Sequence, residues 1–539
     1  MKLRILALVL VAALLLAGCA RTDFRGEYQS PEDTAADSGG EDFIRYADMT
    51  YTRPDMDRIR QSLNDACTVA QAGDARATMK AVFAFYDEYD WFYTCYSLAD
   101  IRYSGDLTDA QWEEEYNYCV ENSAAVDAML EELYYSLAQS PSREALESDK
   151  YFGRGFFDAY DGDNLWDETF TALLERENTL ENRYYALATQ ALAYESGTEE
   201  YYDACADDMA GLLAELIGVR QEMARYWGYD DYPQFAYDFY YYRDYTPEQV
   251  EAYLEAIRRE LVPIYRKLDD SVWDWANRYC SETETFAFVR QAAQNMGGAI
   301  WEAFRLMEEA GLSDIAYGEN KYNSSFEVYL TSYQEPFLFM NPELTRYDCL
   351  TLAHEFGHFC NDYACYGSYA GVDVLEFFSQ SMEYLLLCYG DKTEQLTRVK
   401  LADSLCTYVE QAGFASFEQR MYSLTGEDLS AEGLYALYEE VALAFGFDSV
   451  GYDPREFVEI THFYTNPMYV VSYVVSNDAA MQLYQLEQAE AGAGLALMEE
   501  NLSAEYDYFL DFLEAAGLES PFGAERLAQV RRTFEDALR

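Results

Sequence analysis

Only 11 prolines and 30 glycines interrupt the 539 residues of this chain, and this scarcity of breakers constrains its fold more than any other feature. Strand-and-turn architectures place glycine or proline at nearly every corner, so a chain poor in both reads as long helices. Half of the residues are hydrophobic, including 51 Tyr and 31 Phe, enough apolar surface for a globular body with a large core. The expected class is mainly α, with length enough for two lobes.

Residues 246–268 carry the helix grammar most clearly. Thr246 can cap, Pro247 suits the first turn and Gln249 completes a capping box. Val250, Tyr253, Leu254, Ile257, Leu261, Val262 and Tyr265 then recur at three- and four-residue spacing, which makes one apolar face. Between 320 and 341 the rhythm becomes alternation: Phe326, Val328 and Leu330 against Glu327 and Tyr329, then a second run from Phe337 to Met340. This pattern predicts a short hairpin or small sheet just before the next helix. The chain divides into a leader at 1–18, a flexible polar linker at 19–42, an N-terminal helical region at 43–208 and a region at 209–539 that carries the chemistry.

The leader has the marks of export. Lys2 and Arg4 precede an apolar run from Ile5 to Leu16, too short to remain in a bilayer as a permanent span. Leu16-Ala17-Gly18-Cys19 resembles a bacterial lipobox, which implies cleavage before Cys19 and a lipid on its thiol. The expected state is an exported lipoprotein, tethered to a membrane and facing outside the cytoplasm. Six acidic residues between Glu27 and Asp42, with Ser30-Pro31 and Gly39-Gly40, make the linker polar and turn-rich. The ten cysteines after Cys19 include no Cys-x-x-Cys pair, and their spacing does not reveal any disulfide.

The formal net charge is −61. Phosphate binding needs a basic footprint, so nucleic acid is not an expected partner. Such a surface serves solubility and mutual repulsion first; attraction of basic peptides is the sharper consequence.

The chain has three histidines, and two of them fall in His354-Glu355-Phe356-Gly357-His358. Shuffling yields such a pentapeptide roughly once in a thousand chains of this composition. Leu350 to Cys360 reads as helix, with Thr345 or Asp348 available to cap it. Residues four apart share a helical face, so His354 and His358 can converge on one cation, and two imidazoles suit Zn²⁺. Glu355 follows the first histidine directly, placed to take a proton from water and pass it to a leaving amine without ligating the metal. A catalytic zinc takes a third protein ligand. The nearest donors lie between Asp373 and Glu383: Glu376 is the first choice and Asp373 the runner-up, with Glu383 either one layer behind the metal or in a core ion pair.

His462 stands just before Phe463, Tyr464, Met468, Tyr469 and Tyr473. Tyr469 and Tyr473 are four apart, so on a helix they can point the same way and, with His462, donate hydrogen bonds to the oxyanion of an attacked amide. In a chain with 51 tyrosines, packing is the competing reading of the same cluster.

These stretches, in this order, resemble the M3 family of zinc metallopeptidases, and within it the oligoendopeptidase F branch. Asp348 to His358 looks like that family's active-site helix. Leu375 to Glu383 is similar to the segment bearing its third zinc ligand, which implies Glu376. His462-Phe463-Tyr464, Met468-Tyr469 and Tyr473 are similar to its late segment, whose members stabilise the oxyanion and orient substrate. Gly228-Tyr229 and Arg243-Asp244-Tyr245-Thr246-Pro247 add to the likeness, which covers roughly 210–500 well and the N-terminal helices loosely. It implies a two-lobed helical metallopeptidase with a deep substrate channel and a small β-sheet near the active site, able to pair with the backbone of short peptide substrates. Glu319 to Phe326 departs from the branch in lacking the glycines of a flexible substrate loop, and the export leader departs from its mostly cytoplasmic members.

Together these readings predict a membrane-anchored metalloendopeptidase with one Zn²⁺ per chain, acting on short peptides. Its rivals are a zinc carboxypeptidase or dipeptidase of similar fold, and a lipoprotein that captures peptides without cleaving them. Glu355 argues against the last, because a pure binder has no use for that base.

Overall fold

The computed structural model describes residues 43–148, 150–160, 168–191, 193–269, 271–367, 370–503 and 506–538. The leader, Cys19 and the linker lie outside the described residues. Long helices dominate, as the scarcity of breakers requires. The elements that position the site are helices α1 (Met56–Ala70), α2 (Ala75–Gly105), α3 (Ala110–Ala138), α4 (Glu199–Tyr226) and α5 (Pro247–Glu260), then strands β1 (Ser313–Asp314), β2 (Ser325–Leu330) and β3 (Glu335–Met340). Helices α6 (Asp348–Cys365), α7 (Val372–Tyr389), α8 (Glu394–Cys406), α9 (Ala412–Met421) and α10 (Val471–Ala489) follow.

Each of α1 to α3 begins on an aspartate, Asp55, Asp74 or Asp109, whose carboxylate accepts two backbone N–H groups of the first turn. That bond satisfies donors the helix cannot satisfy itself and complements its dipole. Apolar side chains from Ile59 to Phe157 form one core, and most of the other buried apolar residues, with Leu98 and Ile101 of α2, form a second, larger one; Val372, Tyr469 and Tyr473 make a small third cluster. Helix α2 therefore serves the first two. It also grips the hairpin: Thr94 accepts the N–H of Ser332, in the turn between β2 and β3, at 2.9 Å; ahead of α1, the Tyr46 ring lies 4.4 Å from Phe337 of β3.

The Thr246–Gln249 capping box forms, and Val250, Tyr253, Leu254 and Ile257 are buried. The helix does not run on to 268, however. Pro263 lacks the N–H that a continuing ladder needs, so α5 stops at Glu260 and the chain resumes as a single turn, Val262–Tyr265. The expected hairpin is present, with Phe326 opposite Phe339 and Leu330 opposite Glu335. Strand β1 adds in parallel to β3, giving the order β1-β3-β2 and leaving β2 at the edge; at two residues, β1 is too short to show an alternation. Before β2, the Lys321 ammonium lies 2.9 Å from Asp314 and donates to the carbonyls of Ala316 and Met340. That buried cation ties down a stretch where glycines would have allowed movement. Among the described residues, no helix is long and apolar enough to cross a membrane, and the ten described cysteines are free thiols.

Candidate metal centre

Helix α6 enters the site through a fixed loop. Neither Thr345 nor Asp348 caps it: Tyr347 holds the cap position without a side-chain bond. The Asp348 carboxylate turns back instead and accepts the N–H groups of Glu343 and Thr345 at 3.3 and 3.0 Å.

On α6, His354 and His358 stand one turn apart with ring centroids 5.1 Å from each other. Between them Gly357 meets α7. A Cβ there would fall 2.5 Å from Ser379 Cα and 2.6 Å from the Phe378 carbonyl oxygen, so only glycine lets the two backbones touch. The contact brings Glu376 of α7 to the histidines, and donor atoms of His354, His358 and Glu376 all lie within 4.8 Å of one another. His354 Nε2 is 3.7 Å from Glu376 Oε2. That is too long for a good hydrogen bond, but close to the roughly 3.4 Å between two ligand atoms that share an ion at tetrahedral angles.

Glu383 takes up both expected roles at once. One of its oxygens accepts His354 Nδ1–H at 2.9 Å, which leaves Nε2 facing Glu376. The other lies 2.8 Å from the buried Lys400 ammonium of α8. Asp373, the runner-up ligand, is turned away and does not join the donor group. It accepts the Tyr245 hydroxyl at 2.7 Å, and Arg243 Nε stands 3.7 Å off.

Electrostatics suit a cation. Burial and the neighbouring His354 pull His358 well below its ordinary value, leaving the neutral ring that ligates metals. Burial also pulls on His354, but the Glu383 bond and the charges of Glu376, Glu383 and Glu355 outweigh it and raise it to about 9. A bound cation would displace that proton. Two imidazole nitrogens and one carboxylate, with acidic groups behind them, fit a divalent metal ion. Glu355 is buried, accepts the Ser325 hydroxyl of β2 at 2.8 Å, and is pushed up to about 7 by burial, against the pull of His354. It can thus hold or release a proton near neutrality.

The late His/Tyr segment is set by a clamp. His462 occupies the short helix His462–Thr465, and Met468 follows at φ 70°, a left-handed conformation uncommon for a residue with a Cβ. Glu418 of α9 accepts the Met468 N–H at 2.6 Å, while Arg243 donates to the Met468 carbonyl and to Ser472, each at 2.8 Å. Arg220, wholly buried in α4, donates to the carbonyls of Phe463, at 2.7 Å, and Tyr464. The turn delivers Tyr469, ahead of α10, and Tyr473, inside it, to the centre. The Tyr469 hydroxyl donates to Glu376 at 2.8 Å, and the Tyr473 hydroxyl lies 3.3 Å from His462 Nε2. Burial lowers His462 to about 4, so its ring is neutral.

A cavity of about 690 Å³ opens onto His354, Glu355, His462 and Tyr473, with Ser324 and Ser325 at the start of β2 on its wall. Several residues that build the site stand outside the sequence-read set: Ser325, Gln380, Lys400, Glu418 and Arg220, while Arg243 enters it only as part of a family-like stretch. Lys400 carried a visible signal, a cation between Val399 and Leu401; the others needed the fold.

Residues 46–163 match the family model for the peptidase M3 N-terminal domain, and residues 299–538 match that for peptidase family M3. No curated protein matches the chain. Among solved structures, PZ peptidase A with an inhibitor superposes at a TM-score of 0.78 and 19% identity, covering 91% of this chain and 98% of its own. A protein bearing the name oligoendopeptidase F, solved at 3.1 Å, superposes at 0.76 and 21% identity, covering 92% and 98%. A Pyrococcus furiosus carboxypeptidase superposes at 0.54 and 11% identity, covering 90% and 100%. At such identities the likeness is one of fold: a mainly helical body with a small sheet beside the metal helix.

Proposed function

Because the chain belongs to peptidase family M3 and is a metallopeptidase, we propose that it is a zinc-dependent endopeptidase for short peptides. The observation that carries this reading is the meeting of His354, His358 and Glu376 within 4.8 Å, with the buried Glu355 next to His354 in the chain. Those three residues would hold the zinc, which when bound polarises the scissile carbonyl and makes water a nucleophile at neutral pH.

Glu355, one oxygen fixed by Ser325, takes the proton of the attacking water and hands it to the departing amine. Tyr473 and the neutral His462, already paired with each other, offer hydrogen bonds to the developing oxyanion. Tyr469 donates to Glu376 and so orients the ligand carboxylate. An extended peptide can add to the edge strand β2 next to Ser325. A cavity of about 690 Å³ admits such a segment and excludes a folded domain.

The Pyrococcus neighbour raises a carboxypeptidase reading. That activity needs a cation to receive the terminal carboxylate. Among the described residues lining the cavity, the only lysine or arginine is Lys400, engaged by Glu383 at 2.8 Å and Asp403 at 3.5 Å. This favours internal cleavage. The lipobox-like Leu16-Ala17-Gly18-Cys19 supports an exported lipoprotein anchored through Cys19.

A mass-spectrometric digest of a mixed-length peptide pool by zinc-loaded wild type and Glu355→Gln tests the reading. Internal cuts confined to short peptides are expected, slowed about 10³-fold in the variant. Release of single C-terminal residues, or no cleavage by the wild type, would overturn it.

A further inference from the structure

Resting on the peptidase reading above, we propose that this channel selects cationic peptides, receiving lysine or arginine side chains on the wall formed by the π-helical turn Thr407–Gln411 and the turn Glu456–Glu459. Among the described residues that line the cavity, nine carboxylates besides Glu355 face a single ammonium, Lys400, and no arginine. Lys400 is already taken by Glu383 and Asp403. Arg455, off the cavity wall, takes Asp453 and Glu199. Glu459 is held differently, by the Ser196 hydroxyl at 2.6 Å and the Gly197 N–H at 3.1 Å. Such neutral donors hold a carboxylate without cancelling its charge. Glu410, on the same wall, accepts the Tyr265 hydroxyl at 2.8 Å. The rings of Tyr202, Tyr265 and Tyr452 also line this cavity, and carboxylates interleaved with aromatic faces are the surroundings that hold ammonium and guanidinium groups.

A second observation points to a ligand that brings hydrogen-bond donors. Gln380 is 4% exposed and lines the same cavity. Its amide nitrogen donates to the Tyr473 carbonyl at 3.4 Å, which leaves Oε1 without a partner. A buried acceptor left open is costly until a donor arrives; a peptide N–H supplies one. A second metal ion is the other occupant that carboxylates attract, but among the described residues the only group of three or more donors that converges is His354, His358 and Glu376. Charge spread along a wall suits an extended polycation better than a point charge. The chain's net charge of −61 adds a long-range field that steers such peptides inward.

The test compares kcat/KM for peptides identical except for lysine, glutamine or glutamate at one position, scanned on both sides of the cut. The lysine peptide should lead the glutamate peptide by about tenfold or more at 0.1 M salt. That ratio should collapse at 1 M, where the screening length drops from about 10 Å to about 3 Å. In Glu410→Gln/Glu459→Gln the low-salt ratio should fall by about tenfold. A wild-type ratio near one, or one indifferent to salt and to both substitutions, overturns the inference while leaving the peptidase reading intact. If no peptide is cleaved, that reading fails. Fluorescence anisotropy with the same labelled peptides then decides: tighter capture of the lysine peptide sustains charge selection, and equal capture ends it.

Discussion

At the scale of single residues, Glu383 joins the metal chemistry to the stability of the fold. One oxygen orients His354, and the other neutralises Lys400, an ammonium only 2% exposed whose remaining acidic neighbour is Asp403 at 3.5 Å. Breaking a buried ion pair from one side leaves an uncompensated charge, which typically costs about 3 kcal/mol or more. Removing the group that orients a ligating histidine typically weakens metal binding 10- to 100-fold. Glu383→Gln is therefore expected to lower the melting temperature of the metal-free protein and to weaken zinc at least about tenfold in competition with a chelator. The two effects should separate in Glu383→Gln/Lys400→Met: deleting the stranded ammonium restores most of the stability, while zinc affinity stays low. Zinc affinity unchanged in the single variant would remove Glu383 from the support of the site.

At the scale of elements, the site exists because α6 and α7 touch through bare backbone at Gly357. An added methyl group 2.5 Å from Ser379 Cα must push the helices apart, and the atoms it meets are main chain and cannot rotate away. Gly357→Ala is expected to cost about 1–3 kcal/mol, as overpacked positions do, and to reduce zinc affinity more than tenfold, because His358 and Glu376 flank the contact. Gly218→Ala, in the interior of α4 with nothing within 4 Å of the added atom, is the control, expected to gain about 0.5–1 kcal/mol. Comparable losses in the two variants would refute the close-contact account. The same contact marks what the sequence can express. His354 and His358 were legible because four-residue spacing on a helix is a local relation, and so were the α5 capping box and the β2–β3 alternation. Spacing ranks Glu376 first but separates it little from Asp373, since three residues on a helix set them apart by less than a turn. Tyr245 and Arg243, more than a hundred positions upstream, decide between them by drawing Asp373 away. Glu418, Gln380 and Ser325 reach partners 50, 93 and 30 positions away, and no local periodicity encodes such partners. The stop of α5 was legible in principle, since Pro263 forbids the ladder that the apolar spacing alone suggests.

At the scale of the molecule, the proposed lipid anchor on Cys19 stands beside the acidity of the chain and the absence of a spanning helix among the described residues. A chain with a formal net charge of −61 is repelled overall by anionic headgroups. No described helix is long and apolar enough to cross a membrane. On the lipoprotein reading proposed above, attachment comes from a lipid on Cys19, where each buried methylene of an acyl chain contributes about 0.8 kcal/mol. Cys19→Ser in the full-length chain is expected to move the protein from the membrane fraction and the detergent phase into the aqueous phase. In the sequence the metal donors begin at His354 and the cavity lining at Gly197, far downstream of Cys19. Hydrolysis of soluble peptides by the released variant should therefore stay within about twofold of the anchored enzyme, a difference under 0.5 kcal/mol in the barrier. A Cys19→Ser protein that still sediments with membranes would place the anchor elsewhere in the chain. One that leaves the membrane but loses activity would show that the leader segment, after all, supports the catalytic body.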